Sequence, residues 1–538
     1  MDRNKIEKHQ QKQSNYSDWR IILAILSCLG LIVMFDETMI LPAIPDFIRD
    51  FNISYSTSTW ILSAYIIAGA VMTPIAGKLA DIYGKKKILL IIMAFYAVGI
   101  LSGRFSHNIE FMIVSRISQG IGLAMFPIAF GIIRESLPEE KLAIGQTIFG
   151  STFSGGAVVG IVVGATIIQN FGWQATFFAI IPVAAALWII IWRFVHIGNS
   201  NLSVDLDNNH TSNSNSNNAN IHNKDRNYDL SDNKKKKNRS NIQKIDLKGI
   251  CALTVTIVSF LAGITILESN NVNTSYSLIF LFSTSLLSLV VFIAIEKKAN
   301  TPLLDLKLMT NKIFISPVII LMLVSMSIFM VYQTIPVMVR SPQPLGFGGD
   351  ALATATVQVP FMIVLLIGTI MSGFLLNKVG NTKLLLLGTI ISTIGFFSLI
   401  ALHSTEEMVT IGLVIISTGL ALSIAGVFNV ILVSVPMQVT GIALGMTMLL
   451  NLVGMSVGPA LAGVFQQMNQ GTVPGIQGLF PNSNAYNMIF IVAMLMSVVS
   501  VVMAGIVARK KTNSMTAATT AAVSLIEKDN KNLKRNSD

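Results

Sequence analysis

Apolar runs of about 20 residues, separated by short polar breaks, fill most of this chain. A helix needs about that length to cross the roughly 30 Å hydrocarbon core of a bilayer. In that core every backbone group must be paired within its own helix or in a closed barrel. The runs lack the apolar–polar alternation of barrel strands. The pattern predicts fourteen spanning helices, near 20–41, 57–77, 87–105, 110–133, 142–168, 174–195, 248–267, 277–295, 314–338, 351–376, 382–402, 408–434, 438–466 and 487–508. The ninth and thirteenth runs hold internal Pro and Gly, yet each reads as a single span. Residues 197–245 break the pattern: rich in Asn, Ser, Asp and Lys, with four lysines at 234–237, they cannot bury a core and are expected to be a disordered linker. The polar tail from Lys510 is expected to be mobile as well.

Composition agrees with the pattern. Only 12% of residues are charged, where a soluble domain carries about 25%. The net charge of +11 would suggest nucleic acid in a soluble protein, but here the location of the charge decides. An even number of spans puts both termini on one side. With the N-terminus in the cytoplasm, only Arg49, Arg104 and Arg340 fall in outer loops, Arg116 lies within a span, and the other basic residues fall at cytoplasmic ends, loops or tails. The opposite orientation would reverse that ratio. Cys28 and Cys251 lie in apolar runs and offer neither a disulfide framework nor metal-ligand spacing. The first run is expected to remain as an uncleaved span. No nucleophile–base pair, metal cluster or phosphate-binding loop points to an enzyme, and no nucleotide motif suggests ATP as a driver.

Four constellations stand out. The turn Gly77-Lys-Leu-Ala-Asp81-Ile-Tyr-Gly84-Lys85-Lys-Lys87 recurs at the same offsets as Gly373-Phe-Leu-Leu-Asn377-Lys-Val-Gly380-Asn-Thr-Lys383. Such an echo is expected of a duplicated bundle. Gly77 and Gly84 would allow helix and loop to approach closely, Asp81 would accept N–H bonds or pair with a cation, and the lysines would sit beside lipid phosphates. Arg116 stands inside the fourth span among small residues, an expensive place for a charge unless it meets a partner or a cavity. Asp36 and Glu37 sit late in the first span. Asp36 lies roughly 24 Å beyond Arg20 and Arg116 roughly 9 Å below the outer face, so in a core of about 30 Å the depths nearly coincide. Neighbouring helical side chains point about 100° apart, so only one of the two carboxylates faces a central cavity squarely. In the fifth span Gly156, Gly160 and Gly164 recur every fourth residue and form a groove for a packed neighbour, and Gly454 and Gly458 do the same in the thirteenth. A path for substrate is expected along Gln119, Tyr332, Gln333, Gln358, Asn429 and Asn451, with adaptable Met and Phe around it.

These residues resemble the major facilitator superfamily. The stretch 77–87 is similar to its loop between spans two and three, and Arg116-Ile-Ser-Gln119-Gly120-Ile-Gly122 to its fourth-span motif. Asp36-Glu37-Thr38 with Ala43 and Pro45 resembles the first span of the fourteen-spanner drug/proton antiporters. Ile161, Ala165 and Gln174 depart from that subgroup, which usually has Pro, Gly and Arg there. The resemblance implies an all-α membrane fold: an N-terminal six-helix bundle over 20–195, two extra helices over 248–295 and a C-terminal bundle over 296–508. A cytoplasmic tail over 1–19, a linker over 196–247 and a tail over 509–538 complete the chain. It also implies that Asp81 helps latch the outward-facing state, that Arg116 is tied to proton movement, and that Asp36 holds the family's carboxylate position. Asp36, Glu37 and Arg116 are the expected proton-coupling set.

The function expected is proton-coupled efflux of amphipathic small molecules by alternating access. No cofactor, metal or nucleic acid is expected; the proton gradient would drive a monomer in contact with lipids of the plasma membrane. Two alternatives stay open: proton-coupled uptake of a small metabolite, and a receptor or scaffold that no longer transports.

Overall fold

A computed structural model describes residues 3–195, 247–267, 272–299, 306–435 and 440–535. The linker 197–245 lies outside the described residues. Among the described residues, fourteen helices are long and apolar enough to cross a membrane: Trp19–Asp50, Tyr55–Ala80, Lys85–Arg104, Ile109–Ser136, Glu140–Phe171, Gln174–Phe194, Lys248–Ile266, Ser275–Lys298, Lys312–Arg340, Ala351–Leu376, Asn381–Ala401, Glu406–Ser434, Ala443–Met468 and Ser483–Arg509. The ninth and thirteenth are single helices despite Pro317, Pro336 and Pro459.

Two spans are interrupted within their length, where hydropathy gives no warning. The first changes from α-helix at Met39 to a 3₁₀ turn at Leu41–Ala43 and a short helix at Ile44–Asp50. Pro42 and Pro45 lack the N–H groups that would continue the helical ladder. The fourth becomes 3₁₀ at Ile121–Ala124. Pro127 cannot bond the carbonyl of Leu123, and a Cβ on Gly122 would sit 2.7 Å from the Tyr96 ring.

Each half is built on the same close pair. In the N-terminal half the fifth span lies along the first. A Cβ on Gly156, Gly160 or Gly164 would stand 2.5, 2.6 and 2.5 Å from the carbonyl oxygens of Leu31, Phe35 and Met39. Glycine every fourth residue therefore brings backbone against backbone, the usual source of helix association in lipid. Thr38 Oγ1 bridges the seam, 3.0 Å from the Met34 carbonyl and 3.1 Å from that of Ala157. In the C-terminal half the thirteenth span lies along the ninth, with Gly454 and Gly458 against the Met322 and Met326 carbonyls.

The seventh and eighth spans form a hairpin, with Ser285 and Ser288 donating to the carbonyls of Thr256 (3.0 Å) and Ala252 (2.7 Å). Ser56 donates to the Thr265 carbonyl and Trp60 to the Thr265 hydroxyl, both at 2.9 Å, which fastens the hairpin to the second span. Tyr276, Phe280 and Leu287 on the eighth span face outward, as lipid-facing side chains do.

Both polar tails continue as helix, from Arg3 into the first span and from the last span to Arg535. The C-terminal tail, for which the sequence suggested no element, is thus helical. Its Ala-rich stretch, followed by Lys and Glu, consists of good helix formers, and continuing a helix satisfies carbonyls that an abrupt end would orphan. A β-hairpin after the thirteenth span, Gln470–Val473 with Ile476–Pro481, was not foreseen either. Its turn is Pro474–Gly475, Gly475 having φ +81, the Pro–Gly signature of a type II turn.

The two halves meet at one end and part at the other. At the end remote from the lysine-rich turns, Arg340 binds Asp46 through both terminal nitrogens (2.5 and 2.8 Å) and donates to the Pro42 carbonyl (2.8 Å). Tyr55 N–H donates to Gln467 (3.0 Å), Ala351 N–H to Gln169 (3.3 Å) and Ser63 to the Ser456 carbonyl (2.9 Å). At the lysine-rich end, a Cβ added to Gly77, Gly84, Gly373, Gly380 or Gly445 would meet nothing within 4 Å.

Candidate functional site

Arg116 is fully buried in the fourth span and held from several sides. Nε donates to the Ile61 carbonyl (3.0 Å) and Nη1 to Gln119 Oε1 (2.6 Å). The Tyr65 ring lies 4.4 Å from the guanidinium carbon, a cation–π contact. Tyr65 is itself oriented by its hydroxyl, which donates to the Val33 carbonyl (3.3 Å). Gln119 spends its amide nitrogen on the Gly99 carbonyl (3.0 Å) and Ser115 Oγ (2.8 Å). The sequence reading put Gln119 on the substrate path; in the structure its Oε1 accepts from Arg116 and its Nε2 donates to Gly99 and Ser115.

Asp36 Oδ2 stands 3.8 Å from Arg116 Nη1, with both side chains fully buried. Neither carboxylate oxygen accepts a hydrogen bond from the protein. The pair is thus attraction across a gap. Ile61, Gln119 and Tyr65 hold the guanidinium through contacts that do not involve Asp36, while its Nη2 has no hydrogen-bond partner. Glu37 is also buried and makes no hydrogen bond or ion pair among the described residues. Both carboxylates of the first span are thus inside the bundle.

The C-terminal half faces this cluster with uncharged polar groups. Gln358 Nε2 donates to the Tyr332 carbonyl (3.1 Å), leaving its Oε1 without a partner. The Tyr332 hydroxyl and both amide atoms of Gln333 are likewise buried without protein partners. Two other expected path residues lie elsewhere. Asn429 donates to the Ala425 carbonyl of its own helix (2.9 Å) and its carbonyl faces Asn381 beside the turn at Gly380 (3.4 Å), five residues from the end of Glu406–Ser434. Asn451 accepts from Ser325 (2.5 Å) and so ties the thirteenth span to the ninth. Both amides serve helix contacts.

The repeated turn folds alike in both copies. Gly84 and Gly380 end their helices at φ 95 and φ 86, a backbone region that disfavours side chains. Lys85 pairs with Glu135, Lys86 donates to the Trp192 carbonyl (2.8 Å), and Lys87 is exposed. The side chain of Asp81 lies outside the described residues. Gly77 was expected to let helices approach closely, yet it faces open space because the halves are parted at this end.

The family profile of the Major Facilitator Superfamily matches residues 26–459, which include the charge pair, the turn and the fifth-span stripe. The chain belongs to the Major Facilitator Superfamily. Among similar proteins are Multidrug resistance protein 3 of Bacillus subtilis (strain 168), 26% identical over 70% of this chain and 65% of that protein, and Multidrug transporter protein MdtP of the same organism, 25% identical over 72% and 64%. The matched stretch thus spans just under two thirds of both relatives' own length. Among solved structures, a bacterial homologue of the human lysosomal transporter Spinster in an inward-facing, unoccupied conformation covers 91% of this chain and 97% of its own at TM-score 0.60 and 12% identity. The xylose transporter XylE from E. coli, inward open, covers 90% and 95% at TM-score 0.55 and 13% identity. These likenesses show the fold: an all-α, multi-pass membrane protein of a transporter family, not of an enzyme family.

Within this superfamily chain, sequence reasoning missed Tyr65, Ser115, Gln466 and the Asp46–Arg340 pair. Tyr65 carried a signal. It lies ten residues into the second span and Arg116 seven into the fourth, counted from the same end of the molecule, so a common depth was readable. Gln466, whose amide donates to Thr334 (3.3 Å), carried none, because a Gln near a helix end reads as interfacial. Arg340 read as a loop cation; only the docking of the halves gives it Asp46.

Proposed function

We propose that this protein is a secondary active transporter that exports amphipathic small molecules in exchange for protons by alternating access. The observation that carries the proposal is Asp36 buried 3.8 Å from an Arg116 held independently by Ile61, Gln119 and Tyr65. A carboxylate with one long-range partner and no hydrogen bond changes protonation without dismantling its surroundings. An intramembrane ionisable pair marks a proton or ion pathway in the general case. The names of the two Bacillus relatives support amphipathic drugs as cargo. The excess of lysine at the open end supports a cytoplasmic assignment for it, in the plasma membrane, with both termini on that side. Opening and closing of the two ends in turn would carry substrate outward and protons inward, with no cofactor required.

The test is transport of a lipophilic dye in proteoliposomes under an imposed pH gradient. Wild-type protein is expected to move dye against the proton flow. Asp36→Asn is expected to abolish gradient-driven transport while retaining slow exchange down a dye gradient. Unchanged gradient-driven transport in Asp36→Asn overturns the coupling role. Movement of substrate in the direction of proton flow replaces export with uptake.

A further inference from the structure

Two tyrosines link the fourth span, which carries Arg116, to the first, which carries Asp36. Tyr65 comes from the second span and Tyr96 from the third, and both side chains are buried. On the side of the fourth span, the Tyr65 ring lies 4.4 Å from the Arg116 guanidinium carbon. Further along that span Gly122 makes room for the Tyr96 ring, which a Cβ there would meet at 2.7 Å. On the side of the first span, Tyr96 donates its hydroxyl to the Ile32 carbonyl and Tyr65 to the Val33 carbonyl, both at 3.3 Å.

Ile32 and Val33 stand one helical turn before Asp36 and Glu37. In an α-helix their carbonyls already accept the N–H groups of those two acids. Each tyrosine therefore adds a second donor to a carbonyl that holds the backbone of an acid, and a carbonyl oxygen has two lone pairs to accommodate both. Thr38 Oγ1 does the same at the Met34 carbonyl (3.0 Å). Three consecutive carbonyls of the first span are braced in this way, two of them from other helices. Arg116 is held separately, by the Ile61 carbonyl and Gln119. Between the two anchored groups a gap remains. Asp36 Oδ2 and Arg116 Nη1 are 3.8 Å apart, where a direct charged hydrogen bond measures about 2.7–2.9 Å. Arg116 Nη2 has no hydrogen-bond partner.

We infer that Tyr65 and Tyr96 are positioning residues that keep Asp36 beside Arg116 yet out of hydrogen-bond contact with it, which leaves the carboxylate free to take and release a proton. The inference rests on the exporter reading above and adds to it the residues that set the spacing of the pair. Tyr65 has the larger share, because its ring touches Arg116 and its hydroxyl touches the backbone that carries the acids. The other titratable groups around Asp36 are Glu37 on its own helix and Arg116 on the fourth span, whose Arg134 and Glu135 lie at the lysine-rich end. The fifth, sixth and tenth spans, packed along the first, bring none over residues 142–192 and 351–376. The ninth, packed against its outer end, carries Tyr332 and Arg340, and Arg340 is taken by Asp46.

The test is the pH profile of gradient-driven dye transport by full-length protein in proteoliposomes, with the size of the gradient held constant. Removing the Tyr65 ring frees the guanidinium to bond Asp36 directly, and a carboxylate bonded to a cation needs more acid to be protonated. Tyr65→Leu is expected to move the half-maximal pH by about one unit toward acid, and Tyr65→Phe, which keeps the ring, by less. A merely structural role would lower the maximal rate and leave that midpoint in place. If Tyr65→Leu does not fold, Tyr65→Phe combined with Tyr96→Phe removes both hydroxyls and neither ring. That double variant is expected to move the midpoint about half a unit the same way. In the variant that folds, a midpoint within about 0.2 units of wild type, or one moved toward alkali, overturns the inference and leaves the exporter reading standing. Absence of gradient-driven transport by wild type overturns the exporter reading and the inference with it.

Discussion

In the N-terminal half, the fifth span lays Gly156, Gly160 and Gly164 on the first; in the C-terminal half, the thirteenth lays Gly454 and Gly458 on the ninth. The packing device is the same, and the chemistry mounted on it differs. The first span presents Asp36 and Glu37, and Arg116 answers from the fourth. The ninth span presents Tyr332 and Gln333, and Gln358 answers from the tenth without a charge. Backbone-to-backbone packing tolerates no side chain, so both copies keep it. Side chains that face the space between the halves are free of that restraint, so one copy became charged and the other stayed neutral but hydrogen-bonding. The comparison separates what holds each half together from what the halves do to one another.

The sharpest way to break the comparison is to remove the N-terminal charge. Arg116→Ala leaves Asp36 buried without its cation and Gln119 without its principal partner, and breaking a buried pair in this way costs about 3–5 kcal/mol. A large fall in melting temperature in detergent is expected. Replacing Gln333, a buried amide on the ninth span, by Leu is expected to change it little. Equal effects would mean that the charge is no more structural than the amide.

A second substitution tests the shared packing. Gly160→Leu drives a side chain into the Phe35 backbone and is expected to cost about 1–3 kcal/mol. Gly77→Ala enters open space and is expected to stay within about 0.5 kcal/mol in the same melting assay. If both are harmless, the fifth-span stripe is not a contact surface.

The smallest effect is expected at the junction of the halves. Asp46→Asn weakens the hold of Arg340 across the closed end by about 1 kcal/mol, which corresponds to about a fivefold shift between states. With Cys28 and Cys251 replaced, a cysteine introduced at Ser456 is expected to react faster with a polar maleimide added from that end. An unchanged rate would show that the pair decorates the junction without closing it.

Several of these features were readable in the chain, and the reasons are physical. Spans are legible because a bilayer imposes about 20 apolar residues on each of them. The repeated turn was legible because Gly84 and Gly380 occupy a backbone region that only glycine adopts readily. The near-equal depth of Asp36 and Arg116 followed from helical rise alone. Gln119, Asn429 and Asn451, assigned to a path, brace neighbouring groups in the structure, and a mid-span amide looks the same in sequence whether it faces a ligand or braces a neighbour.

The chain alone fixed the number of spans, a close-packing face on the fifth, the duplication and near-equal depths for an acid and an arginine within the membrane. These depend on local length, local residue size or one-dimensional depth, all of which the chain carries directly. The docking of helices settled where buried side chains find partners: Gln119 Oε1 on Arg116, Asn451 on Ser325, Arg340 on Asp46. It also decided which end of the molecule is closed. Azimuth around a helix and the docking of two bundles depend on contacts between residues hundreds of positions apart, and no local pattern encodes them.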